Sequence, residues 1–123
     1  MTASETSKRL PERPFPGLDV SGARILVTGF GVSGYAIVDQ TLQRGAHVTA
    51  VDASRSESNL ERAKVLETLG ARILLGEEHT RALPTNADGS PFDVVVTSPG
   101  WRPDHPLLVA AQNEGIEIWS EIE

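Results

Sequence analysis

The chain has 123 residues, a formal net charge of −6, 39% hydrophobic and 23% charged residues, and no cysteine. This is the composition of one soluble globular domain large enough to bury a core, without disulfides, thiolate metal sites or thiol nucleophiles. An acidic balance with scattered Lys and Arg argues against a nucleic-acid partner, and no apolar run approaches the roughly 18 residues of a membrane span; with no secretory leader pattern, a cytoplasmic location is expected.

Residues 1–21 mix Ser, Thr, Pro and both charges without an apolar period and predict a flexible tail, leaving 22–123 as the folded domain. The apolar run Ile25-Leu26-Val27-Thr28 predicts a strand, and it passes directly into Gly29-Phe30-Gly31-Val32-Ser33-Gly34, a G-x-G-x-x-G turn opening a helix over 32–44. Gly29 permits the tight turn, Gly31 lets the backbone approach a pyrophosphate, and Gly34 allows close helix–strand packing. Unpaired amides at the start of the helix would receive the anion. His47-Val48-Thr49-Ala50-Val51-Asp52 is the next strand, and Asp52 at its end supplies the acidic residue expected about twenty positions after the glycines.

Ser58-Asn59-Leu60-Glu61 has the form of a capping box, so a helix is predicted from near Ser58 to Gly70 with Leu60, Ala63, Leu66 and Leu69 as its apolar stripe. A short strand over 71–75 precedes a polar loop over 76–92, rich in turn residues. The run Asp93-Val94-Val95-Val96-Thr97 is β-branched throughout, as in a central parallel strand, and Ser98-Pro99-Gly100 breaks it. A helix over 106–114, with Asp104 as candidate cap, ends at Gly115 before a last strand over 116–119.

Five strands alternating with helices predict an α/β, Rossmann-like, doubly wound and mainly parallel sheet with helices on both faces. Ligands of such sheets bind beyond the carboxyl ends of the strands, so Gly29, Asp52 and the loop at Gly100 should converge on one nucleotide. Other chemistries fail. His47, His79 and His105 lie on different elements, which gives no metal site. Neither Lys8 nor Lys64 sits in a G-x-x-x-x-G-K-[ST] loop, and no histidine is placed as base for Ser33, which suits a phosphate better than catalysis. No catalytic residue is assigned. Trp101 beside Gly100 either stacks on the ligand or covers the domain edge.

The series Val96-Thr97-Ser98-Pro99-Gly100, Asp104-His105-Pro106-Leu107-Leu108 and Gly115-Ile116-Glu117-Ile118-Trp119-Ser120-Glu121-Ile122-Glu123 resembles the Mur ligases of peptidoglycan synthesis, in particular their D-glutamate-adding branch. The resemblance runs from about Ala23 to Glu123 and implies the amino-terminal, UDP-binding domain of such an enzyme. It implies that Gly29, Gly31, Val32, Ser33 and Gly34 hold the pyrophosphate of UDP-N-acetylmuramoyl-L-alanine, that Asp52 and Ala53 meet the uracil, and that Gly100 faces the sugar. Arg55 and Trp101 are further candidates, although the loop Asp52-Ala53-Ser54-Arg55 is one residue longer than the usual family spacing. It also implies that ATP, Mg2+ and D-glutamate act through other domains, the amino acid being joined through an acyl phosphate, and that this stretch alone is inactive. The alternative is a stand-alone NAD-type sensing module, in which Asp52 would clasp a ribose hydroxyl.

Overall fold

The structure is a computed structural model and describes residues 21–98, 101–102 and 104–120. The expected tail, apart from Ser21, and the expected contact at Gly100 lie outside the described residues. Five strands, β1 (Arg24–Thr28), β2 (His47–Asp52), β3 (Arg72–Leu75), β4 (Val94–Thr97) and β5 (Glu117–Ser120), form one sheet in the order β3-β2-β1-β4-β5. Every pairing is parallel, with Ile25 opposite Val48 and Val94, and Val51 opposite Leu74. Winding runs outward from β1 through β2 to β3, then returns to start again at β4, so the order reverses between β1 and β4.

Both faces of the central strands are buried, which is why they read as unbroken apolar runs rather than alternating ones. On one face, Ile25, Val27, Val48, Ala50, Val94 and Val96 pack with Ile37 and Val38 of α1 (Val32–Gln43) and Ala63 and Leu66 of α2 (Glu57–Thr68). On the other, Leu26, Val51 and Val95 pack with Leu107, Leu108 and Ala111 of α3 (Pro106–Asn113). No described α-helix spans the β3-to-β4 crossover. It holds only a 3₁₀ turn (Glu77–His79), and contributes Leu83 and Phe92 to the α3-side core. No helix among the described residues is long and apolar enough to cross a membrane.

Three local expectations need correction. Ser56, not Ser58, caps α2, its hydroxyl accepting the Asn59 amide at 3.1 Å. The buried face of α2 is Asn59, Ala63 and Leu66, while Leu60 and Leu69 are 47% and 56% exposed. Steps of three residues drift by about 60° each around a 3.6-residue helix, so Leu60 and Leu69 stand on opposite sides of the apolar stripe. At α3 the cap is His105, whose Nδ1 accepts the Leu107 amide at 3.2 Å, whereas Asp104 accepts instead from Arg102. Pro106 at the first helical position fixes that start.

The third glycine of the turn is a packing requirement. A Cβ on Gly34 would run into the carbonyl oxygen of Gly29, a backbone atom with no freedom to retreat. Gly34→Val should therefore destabilise the domain by about 3 kcal/mol or more, beyond ordinary overpacking, read as a lowered thermal midpoint. Ser56→Ala should cost about 1 kcal/mol of stability and Ser58→Ala less than about 0.5 kcal/mol in the same melts; equal losses would contradict the cap assignment.

Candidate functional site

At the carboxyl end of β1 the chain turns at Gly29, whose φ of +93° favours a residue without Cβ. The turn is held from β2: the Gly29 amide donates to the Val51 carbonyl at 2.9 Å, and the Phe30 amide to Asp52 Oδ2 at 2.6 Å. The Phe30 ring is fully buried in the core on the α1 side and lies 6.3 Å from the Tyr35 ring. The loop is thus anchored by one backbone bond, one charge-assisted bond and one aromatic side chain. Gly31 then caps α1 without any side-chain acceptor, and the first turn carries no acidic residue. Helix geometry leaves the amides of residues 32–34 without intrahelical partners, at the positive end of the helix dipole. A Cβ placed on Gly31 would meet nothing within 4 Å, so the approach to those amides is open.

Asp52 is half-buried and has a second backbone partner, the Ser54 amide, which donates to Oδ1 at 2.9 Å. Ala53 lies exposed between them. Arg55 turns away along the end of β3: its Nε donates to the Leu75 carbonyl at 3.0 Å and its guanidinium pairs with Glu78 at 2.5 Å. A hydrogen bond from its own backbone amide, opposed by desolvation and aided by the Arg55 charge, holds the Glu78 carboxyl below the usual carboxylate range.

The third wall comes from β4. The hydroxyls of Thr28 and Thr97 are hydrogen-bonded at 2.8 Å in the buried seam between β1 and β4, and the Ser98 amide donates to the Thr28 carbonyl at 3.2 Å. A Cβ on Gly29 would strike the Ser98 hydroxyl and lie 3.3 Å from the indole nitrogen of Trp101. Trp101 is half-buried, packs against the α3-side core and stacks on the His105 ring at 4.1 Å between centroids. The glycine turn thus lies between the Asp52 carboxylate at the end of β2 and the residues Ser98 and Trp101 that follow β4. Arg55 is engaged at the β3 end instead, and no cluster of three metal-ligating side chains occurs among the described residues.

Sequence reasoning missed Phe30, the Thr28–Thr97 bridge, Glu78 and His105 as supports of this edge. An aromatic residue between two glycines was a usable signal for Phe30. The others depend on register and on which loop folds over which strand.

Residues 23–120 match the family described as Mur ligase MurD-like, N-terminal domain. The chain is 46% identical over 106 residues to the UDP-N-acetylmuramoylalanine--D-glutamate ligase of Thermobifida fusca, covering 86% of this chain and 21% of that protein. It is 40% identical to the enzyme of the same name from Leifsonia xyli subsp. xyli over 123 residues, the whole of this chain and 23% of the relative. Among solved structures, UDP-N-acetylmuramate-alanine ligase MurC from Thermotoga maritima superimposes with a TM-score of 0.60 at 25% identity, over 80% of this chain and 21% of that one. The chain thus spans only about a fifth of the length of the curated relatives it matches. That match covers the glycine turn, the end of β2 at Asp52 and the end of β4, and the chain belongs to the MurD-like amino-terminal domains of the Mur ligases.

Proposed function

We propose that this domain binds the UDP moiety of UDP-N-acetylmuramoyl-L-alanine. The observation that carries the proposal is the uncapped start of α1: free amides, no acidic residue in the first turn and open space at Gly31 suit an anion such as a diphosphate. The pyrophosphate would lie on the backbone from Gly29 through Gly31, Val32 and Ser33 to Gly34. Uracil would lie toward Asp52 and Ala53, and the sugar toward Gly100. Both carboxylate oxygens of Asp52 already accept a backbone amide, yet each retains a second lone pair for a donor on the ligand. Trp101 is then a wall beside the turn, and Arg55 with Glu78 closes the outer end at β3.

For the full-length protein the same proposal gives a cytoplasmic ligase that joins D-glutamate to the substrate carboxylate at the expense of ATP. ATP and Mg2+ would supply an acyl phosphate through residues of other domains, so this stretch alone would bind without turning over.

Amide spectra of the 123-residue chain test the assignment. Titration with UDP-N-acetylmuramoyl-L-alanine should shift the amides of Gly31 to Gly34 saturably, with NADH producing no comparable shift; preference for NADH would overturn it in favour of a sensing module. Gly31→Ala should leave stability within about 0.5 kcal/mol, because the methyl meets open space, yet weaken substrate binding at least about tenfold by standing in the anion's path. Asp52→Ala should weaken binding by about 1–3 kcal/mol and lower the melting temperature as well, since two amides lose a charged acceptor. Unchanged affinity in either variant would remove that residue from the site.

A further inference from the structure

At the opposite, amino-terminal edge of the sheet lies a cavity of about 300 Å³, lined by Arg24, His47, Thr49, Arg72, Asn86 and Asp88 among others. Its origin is topological. Arg24 pairs in register with His47, and Thr49 with Leu26 and Arg72. Alternation along the strands then puts Arg24, His47, Thr49 and Arg72 on one face, the face of Leu26 and Val51. An α-helix crossing from β3 to β4 would cover that face; here the crossover covers its carboxyl half with Leu83 and Phe92 and leaves the amino half hollow.

The lining is chemically biased. Two arginines and a histidine line it, in a chain whose net charge is −6. Thr49 is 3% exposed, lines the cavity, and its hydroxyl takes no partner among the described residues. The acid at the rim is already engaged: Asp88 Oδ1 accepts the Ser90 hydroxyl at 2.6 Å and the Ser90 amide at 3.0 Å, and Oδ2 stays 3.8 Å from Arg24. Arg72, which also lines the cavity, uses Nη1 on the Thr85 carbonyl at 2.7 Å, which restrains its guanidinium.

We propose that this cavity is a second ligand site, taking a small oxyanion, a phosphate or carboxylate group, between Arg24 and Arg72, with His47 and the Thr49 hydroxyl as further donors. Guanidinium forks match the paired oxygens of such groups, and the volume is at the lower end of small-molecule sites. It is separate from the substrate cradle by the length of β2, roughly 17 Å for six residues, and does not depend on that assignment.

The test is an amide titration of the 123-residue chain with inorganic phosphate and, separately, malonate, at ionic strength held constant with chloride. Saturable shifts at Thr49, Arg72 and Ala87 are expected, with affinity reduced at least about tenfold in the Arg24→Gln/Arg72→Gln double variant, in which both forks are lost. A response to phosphate alone assigns a phosphorylated ligand, and a response to malonate alone a carboxylic acid. Arg24→Gln alone, which gives up only one long exposed ion pair, serves should the double variant fail to fold. Shifts that grow linearly with either anion, that are unchanged in the variants, or that fall only on the glycine turn would overturn the proposal.

Discussion

One carboxylate holds the glycine-turn edge of this sheet together. Asp52, at the end of β2, accepts the amide of Phe30 through one oxygen and that of Ser54 through the other. The first bond ties the glycine turn of β1 to its neighbouring strand, and the second shapes the loop that leaves β2. Bonds from an amide to an ionised acceptor are about twice as strong as neutral ones. With Phe30 buried behind it, the turn cannot swing outward, and the amides that follow are presented with little ordering left for a ligand to impose. In the proposed site Asp52 would therefore position the turn before it served as a contact for any base.

The rest of the site follows from how the sheet is wound. Order reverses between β1 and β4, so the connections leaving these two strands diverge to opposite faces and leave a crevice at their carboxyl ends. The Thr28–Thr97 hydroxyl bridge closes the bottom of that crevice, and Trp101, braced by His105, stands at its side. The same winding accounts for the hollow at the far edge. A crossover from β3 to β4 without a described α-helix covers only part of the face it passes over, and what stays uncovered carries Arg24, His47 and Arg72.

Most of the fold was legible because parallel strands buried on both faces announce themselves as β-branched runs, and β2 was bounded to the residue at both ends by Gly45 and the acid at Asp52. The glycines were legible because each answers a distinct geometric demand, and Gly34 meets its demand against the Gly29 carbonyl. The helix caps were not. Ser56 and Ser58 are equally good capping residues in one dimension, and the choice is made by Asn59, whose side chain reaches back to the Ser54 carbonyl at 3.1 Å and is buried under the helix. The partners of Arg55 were equally hidden, since Glu78 lies 23 residues away and meets it only because β3 pairs beside β2.

The most direct measurement is a crystal structure of the chain grown with UDP-N-acetylmuramoyl-L-alanine. Diphosphate density against the backbone nitrogens of residues 31–34, with the uridine extending toward Asp52 and the Phe30–Asp52 bond intact, is the predicted result. Density for the nucleotide elsewhere on the domain, or a ligand that displaces Asp52 from the Phe30 amide in order to bind, would contradict the account.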